Sequence, residues 1–163
     1  MRVTFEQNPT LLDFLTVVAN APADQRQHFT DLTGFPFDPD GVAVGNFMAP
    51  GPKWVIRLPD GFPLAVGGFA PQRPGVFRDF FISTEEAFTK ENYLAVTRIC
   101  RRIMDSVLAS GAHRLECFVP ASRIANRPEL EKWYRLLGYK KEALHHGYCA
   151  NGADGLCYAR VKR

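Results

Sequence analysis

A tyrosine in the last third of the chain has the chemistry of a proton donor. Tyr134 lies in the stretch "PELEKWYRLLGYKKE", between Pro128 and Gly138. Proline suits the first turn of a helix and glycine ends one, so this stretch predicts a helix. A phenol on such a helix donates a proton if it faces a cleft and reaches the reacting atom. The alternative is that Tyr134 packs on a sheet with Trp133 and Leu137.

A carboxylate on a predicted strand is the second candidate. Glu116 lies in "HRLECFV", between Leu115 and Cys117. A carboxylate that faces a cleft could relay a proton from an amine through water. Its alternation with two apolar neighbours equally fits a strand residue that faces solvent. Both interpretations of Glu116 stay open at the level of sequence.

Histidines and cysteines near the C-terminus are of the types that bind zinc. His145 and His146 are adjacent, and Cys149 and Cys157 follow them. Adjacent strand residues point to opposite faces, so at most one of the two histidines could join a site. The spacing matches no tetrahedral zinc pattern, and we predict no metal site. Reduced thiols in a cytoplasm are the simplest interpretation of widely spaced cysteines.

Composition limits the classes of function. The 163 residues are 46% hydrophobic and 23% charged, which is typical of one globular domain spanning residues 1–163. The net charge of +3 argues against nucleic acid as a partner, and Arg98, Arg101 and Arg102 are expected on a solvated helix face. No stretch has the roughly 18 apolar residues of a membrane span, and the N-terminus lacks a signal-peptide pattern. We therefore expect a cytoplasmic protein.

Hydrophobic periodicity and turn residues predict the elements that would position these side chains. Asn8 is expected to cap a first helix, a second helix covers 23–32, and a long helix covers 90–110. The proline- and glycine-rich segment 35–52 is expected to be a flexible loop on the substrate side. Glycines 67 and 68 within a strand indicate a bulge or a close backbone approach.

The predicted order of elements is β-α-α-β-β-β-α-β-α-β-β. Three hairpin-connected strands followed by a helical crossover imply a mixed sheet covered by helices. We therefore expect an α/β (α+β) fold, with a mostly antiparallel central sheet of about seven strands flanked by four helices.

This order of elements resembles that of the GNAT superfamily of acyl-CoA-dependent N-acetyltransferases. The resemblance is carried by the long helix that closes at "SGAHRLECFV", the helix that ends in "WYRLLGYKKE" and the strand pair that finishes in "LCYARV". More narrowly, "FFISTEEAFTKENYLAVTRICRRIMD" is similar to the GNAT-like proteins encoded by tailed phages. The resemblance implies acetyl transfer from acetyl-CoA to a primary amine of a protein or small molecule.

The resemblance also implies a site. The cleft would lie between the fourth and fifth strands, opened by a β-bulge near residues 80–82. Tyr134 would protonate the leaving thiolate and Glu116 would accept the amine proton. The implied cofactor-binding residues are Phe81, Ile82, Ser83, Thr84, Lys90 and Asn126. Asn126 has a second interpretation as the cap of the helix that begins at Pro128.

One departure from the family pattern favours a different function. Members of the superfamily cradle the CoA pyrophosphate with a glycine-rich loop before the long helix. The corresponding stretch here is "STEEAFTKEN", which has no glycine and places Glu85, Glu86 and Glu91 near the expected anion. The alternative is a catalytically degenerate phage protein of the same fold. It would bind and modulate a host bacterial protein or serve as a virion component.

Overall fold

A seven-stranded sheet forms the centre of the computed structural model, which describes residues 3–162. The strands are β1 (Thr4–Gln7), β2 (Lys53–Arg57), β3 (Pro63–Arg73), β4 (Val76–Ser83), β5 (Arg114–Pro120), β6 (Lys140–His145) and β7 (Gly155–Val161). Their order across the sheet is β1-β2-β3-β4-β5-β7-β6. Within residues 3–162, β4 and β5 are the one pair of neighbouring strands that run parallel, and the other neighbouring strands are antiparallel. The predicted mixed, mostly antiparallel sheet is confirmed.

Six α-helices cover the sheet in the described part of the chain, two more than predicted. They are α1 (Leu11–Ala19), α2 (Ala23–Thr33), α3 (Pro39–Met48), α4 (Tyr93–Ala109), α5 (Ala121–Asn126) and α6 (Pro128–Leu136). A short 3₁₀ turn, Glu85–Phe88, connects β4 to α4. The predicted helix that ends at Gly34 is confirmed, because Gly34 has a φ of 76° and caps α2.

The expectation of a flexible loop over 35–52 was wrong, because α3 occupies most of it. The Asp38 side chain accepts a hydrogen bond from the Gly41 N–H, and proline stands in the first turn. Val42 and Ala43 are buried in a core shared with α1. Prolines at the ends of a helix and glycines tolerated within it gave the segment the composition of a loop.

The start of α1 also differs from the prediction. Thr10, rather than Asn8, is the N-cap, and it forms a capping box with Asp13. Asn8 lies two residues earlier with a φ of 60°. The Asp13 carboxylate pairs with Arg57 on β2 at 2.7 Å, which fixes α1 to the sheet.

The two faces of the sheet carry separate cores. One core packs α4 and α6 on the sheet, and the predicted apolar face of α4 is confirmed by the buried Val96, Cys100 and Ile103. The other core packs α1 and α3 on the opposite face. Along β4 the side chains alternate between these two cores, since Phe81 joins the first and Ile82 the second. Crossing a bilayer takes more length and hydrophobicity than any helix in the described residues has.

Glycines 67 and 68 permit a close approach of aromatic rings rather than a bulge. A Cβ at Gly67 would lie 2.3 Å from the Trp54 ring, and one at Gly68 would lie 2.7 Å from the Phe80 ring. The register between β3 and β4 is uninterrupted from the Ala65–Ser83 pair to the Pro71–Phe77 pair. The β-bulge predicted at residues 80–82 is therefore wrong, and the cleft must open by other means.

Candidate functional site

The sheet opens between β4 and β5. These parallel strands pair only at Val76–Arg114, Phe77–Leu115 and Arg78–Glu116. Beyond this point β4 pairs with β3 alone, and β5 pairs with β7 alone. The strands therefore part into a V-shaped gap in the place predicted for the cleft. Loss of pairing produces the gap without a bulge.

A cavity of about 650 Å³ occupies this gap. Its lining includes Tyr134 and Trp133 from α6, and Phe29 from α2. Since Trp133 belongs to the core on one face and Phe29 packs against the core on the other, the cavity reaches both faces of the sheet. A volume in this range accommodates a small organic ligand.

Tyr134, the predicted proton donor, lies on the cavity wall. Its ring stacks on Tyr158 at 4.8 Å and meets the Tyr139 ring edge-on at 6.2 Å. The residue is only 9% exposed, and burial raises the pKa of its phenol well above the usual value. Tyr134 therefore holds its proton at neutral pH and has a cavity in front of it.

A half-buried carboxyl that the sequence analysis missed lies where the strands part. Asp79 is the first residue of β4 beyond the pairing with β5, and its side chain accepts a hydrogen bond from the Tyr139 hydroxyl at 2.5 Å. Burial raises the pKa of Asp79 to about 7, although the Tyr139 hydrogen bond opposes this shift. We call Asp79, Tyr134 and Tyr139 the apex of the cleft. An aspartate alternating with Phe77 and Phe81 on an apolar face was the signal available in the sequence.

Two cysteines near the apex are not nucleophiles. Cys117 and Cys100 both line the cavity, and burial raises the pKa of each thiol above its usual value. Thiolates are the reactive form, so both side chains act as small apolar groups at neutral pH. The chemistry that the apex offers is therefore proton transfer by Tyr134 and Asp79.

Most backbone donors on the open edge of β4 are already bonded. The Thr84 N–H donates to a β3 carbonyl at 2.9 Å, and because N–H groups alternate between strand edges, those at 79, 81 and 83 face the gap. The Ser83 N–H donates to the Gln25 side chain at 3.1 Å, and the Asp79 N–H is taken up by the parallel ladder that ends at the Arg78–Glu116 pair. The Phe81 N–H is left as the gap-facing donor with no hydrogen bond assigned among residues 3–162.

The β4–α4 junction, residues 83–92, does not form an anion cradle. The N–H groups of Ala87, Thr89, Asn92 and Tyr93 all donate to carbonyls within the junction. The side chains of Glu85, Glu86 and Glu91 are exposed, so they add negative charge at the surface. Without a glycine and with three exposed carboxylates, these residues do not fit a diphosphate, which needs close backbone approach and positive potential.

An aromatic cluster separates the junction from the apex. Phe81 and Phe88 lie 5.1 Å and 5.2 Å from the Trp133 ring, and the Trp133 indole donates to the Thr97 hydroxyl at 3.1 Å. All three rings line the cavity. Phe81, one of the residues predicted to bind the cofactor, therefore lies on the cavity wall.

The other predicted cofactor residues are dispersed. Ile82 lines the cavity from the α1 and α3 face, while Ser83 and Thr84 are buried at the end of β4. Lys90 and Asn126 are exposed and do not line the cavity. Asn126 is the last residue of α5 rather than a cap of α6, since Arg127 is the N-cap of that helix.

The structure does not bring Glu116 to Tyr134. Glu116 is buried between two arginines, with Arg114 at 2.9 Å and Arg78 at 3.7 Å. The solvent-facing alternative is therefore wrong, because the residue is only 7% exposed. Glu116 also does not line the cavity, so no contact in the described residues supports its role as a proton relay.

Helix α2 bridges the two arms of the V. Gln25 bonds Ser83 on the β4 arm, while Asp24 pairs at 2.9 Å with Arg123, on the helix that follows β5. Arg123 also contacts His28. Burial and the Arg123 guanidinium lower the pKa of His28 to about 3, so this imidazole is neutral in the folded protein.

Solved structures that are similar to this chain include several acetyltransferases. The ribosomal-protein-S18-alanine N-acetyltransferase from Escherichia coli is similar over 98% of this chain and 93% of its own, with a TM-score of 0.69 and 15% identity. A GNAT family acetyltransferase from Bacillus anthracis matches over 99% and 95%, with a TM-score of 0.70 and 12% identity. A Bacillus subtilis acetyltransferase in complex with CoA matches over 99% of both chains, with a TM-score of 0.65 and 14% identity.

No protein-family model and no curated protein matches the chain by sequence. At identities this low, the structural similarity establishes the fold: the chain has the fold of the GNAT N-acetyltransferases. The GNAT-like fold that the order of elements predicted is therefore confirmed. Activity has to be argued from the cleft itself.

Proposed function

We propose that the chain transfers an acetyl group from acetyl-CoA to a primary amine in the gap between β4 and β5. The observation that carries this proposal is that β4 and β5 part after three residue pairs, leaving a cavity with the Tyr134 phenol on its wall. The fold shared with N-acetyltransferases supports it. The four cysteines are free thiols, which agrees with the expected cytoplasmic location.

The cavity residues suit direct attack of an amine on a thioester carbonyl. The Phe81 N–H could donate to the carbonyl oxygen, where negative charge develops as the C–N bond forms. Tyr134 holds the proton that the departing sulfur needs when the C–S bond breaks. Asp79, with a pKa of about 7, could accept the proton that the amine loses. The residues of the β4–α4 junction do not fit the diphosphate, so no step is assigned to them.

A second function is favoured by the junction itself. Four of its N–H groups are bonded internally, it has no glycine and its exposed side chains are acidic, so a decayed cofactor site is a direct interpretation. In that case the protein would bind another protein, such as a host bacterial enzyme or a virion component, without acyl transfer. The two functions differ in whether a thioester donor enters the cleft.

Turnover of acetyl-CoA with a panel of primary amines tests the first function. Tyr134→Phe should lower kcat by roughly a hundredfold, the scale typical of a lost general acid. Tyr158→Phe is the matched control, because this phenol stacks on Tyr134 but does not line the cavity. Equal rates for the two variants would rule out Tyr134 as the general acid, whereas no acetyl transfer to any amine by the folded wild-type chain would favour the binding function.

A further inference from the structure

The cavity wall on the α2 and α3 side is built around an arginine. The Arg78 guanidinium lies 4.6 Å from the centre of the Phe118 ring, and Phe118 stacks on Tyr148 at 4.8 Å with an angle of 12° between the rings. All three side chains line the cavity. We call Arg78, Phe118 and Tyr148 the arginine wall.

Arg78 has hydrogen-bonding capacity that the described residues do not use. Its Nε is buried without a hydrogen-bond partner, and its carboxylate neighbour, Glu116, lies 3.7 Å away. Glu116 is held more closely by Arg114, which also binds Glu142 at 2.7 Å. A buried donor without a partner costs free energy, so Arg78 favours a ligand that supplies an acceptor oxygen.

The cavity has little to attract a cation. Asp79 is the one carboxyl group among its lining residues within 3–162, and it is hydrogen-bonded to Tyr139 on the other face of the sheet. The second arginine of the lining, Arg123, is paired with Asp24. The lining is otherwise mostly apolar and aromatic. An ammonium group without an anionic partner would therefore meet positive charge and no free carboxylate.

We propose that the amine acceptor also carries a carboxylate and an apolar or aromatic side chain, as an aromatic amino acid does, and that Arg78 binds the carboxylate. This inference rests on the proposed acetyl transfer and names the class of its acceptor. A guanidinium binds a planar carboxylate through two parallel hydrogen bonds, which orients the molecule as well as holding it. The cation also favours the neutral, nucleophilic form of a nearby amine. Polyamines and lysine-rich peptides are poor acceptors on this account.

Calorimetric titration of the full chain without any acetyl donor tests this inference. L-phenylalanine and N-acetyl-L-phenylalanine, which carry the carboxylate, should bind at least roughly tenfold more tightly than phenethylamine, which lacks it. Spermidine should bind most weakly of the four. Arg78→Gln should remove the preference for the carboxylate, whereas Arg98→Gln, at an exposed position on α4, should leave it unchanged.

Arg78→Lys guards against a merely structural effect, because it keeps the charge beside Glu116 and should retain part of the preference. Equal or tighter binding of phenethylamine or spermidine, an unchanged preference in Arg78→Gln, or no binding of phenylalanine would each overturn the inference. Arg78-dependent binding of phenylalanine without acetyl transfer would refute the proposed function and leave this site standing. Transfer to spermidine in preference to phenylalanine would support the proposed function and overturn the inference about the acceptor.

Discussion

The apex lies beside the middle of β4, the β4–α4 junction follows the end of this strand, and the two regions differ in what they leave free. At the apex, unpaired strands, a cavity and two titratable side chains remain open to a ligand. At the junction, four N–H groups are bonded internally and three exposed glutamates replace the glycines of an anion cradle. The parting of β4 and β5 and the phosphate-binding loop of this fold therefore depend on separate residues. One can persist without the other.

The aromatic cluster between these two regions should have the largest effect on stability. Trp133 is 6% exposed, contacts both Phe81 and Phe88, and donates to Thr97. Trp133→Ala should lower the free energy of unfolding by about 3–5 kcal/mol, the usual range for a buried tryptophan. Urea denaturation measures it, with Leu136→Ala at an exposed position of α6 as the control. A loss below about 1 kcal/mol would mean that the cluster does not connect the apex to the junction.

The half-buried Asp79 at the apex should make the stability of the fold depend on pH. Its folded pKa of about 7 lies above the unfolded value of 3.8, so the folded state binds the extra proton between these values. Stability from this group is therefore present at low pH and is lost as the pH rises towards 7. The free energy of unfolding of Asp79→Asn should rise relative to that of the wild type by about 1 kcal/mol for each pH unit between the two pKa values.

Urea denaturation from pH 4 to 8 measures this difference. The neutral His28 contributes the opposite slope, because its folded pKa of about 3 lies below the unfolded 6.5 and stability is lost as the pH falls through that window. Subtracting the wild-type curve removes the His28 contribution. Asp40→Asn, at an exposed position on α3, is the control. Parallel curves for Asp79→Asn and the wild type would show that Asp79 is ionised in the fold.

The smallest effect is expected where Gln25 covers the β4 edge. Gln25→Ala removes the hydrogen bonds to the Ser83 N–H and hydroxyl, which should cost about 1 kcal/mol of stability. Hydrogen exchange of the Ser83 amide should accelerate, because this N–H faces the gap. Gln27→Ala, on the exposed side of α2, should leave that exchange unchanged. Unchanged exchange in Gln25→Ala would mean that another group protects Ser83.

The fold could be predicted from the sequence because its signals are local. The apolar face of α4 and the glycine stop of α2 follow from spacing alone, and the hairpin order follows from turn residues. Helix α3 was missed because its cap and its burial against α1 outweigh the helix-breaking composition of residues 35–52.

The site could be predicted only in part, because it depends on contacts between distant residues. The helix that carries Tyr134 followed from Pro128 and Gly138, but the Asp79–Tyr139 pair joins residues sixty positions apart and the Gln25–Ser83 pair joins residues fifty-eight apart. The burial of Glu116 was missed for the same reason. Its burial depends on Arg114 and Arg78, and Arg78 belongs to a different strand.

Calorimetric titration of acetyl-CoA against S-acetylpantetheine, which lacks the diphosphate and nucleotide, tests the central claim most directly. If the apex binds the thioester and the junction does not bind the diphosphate, the two donors should bind within roughly threefold of each other. Replacing Glu85, Glu86 and Glu91 by glutamine should then improve acetyl-CoA alone, by a few-fold at low salt. Acetyl-CoA binding that is roughly a hundredfold tighter would contradict the account, since the junction would then bind the diphosphate. If neither donor binds at millimolar concentration, the cleft is not a binding site for a thioester.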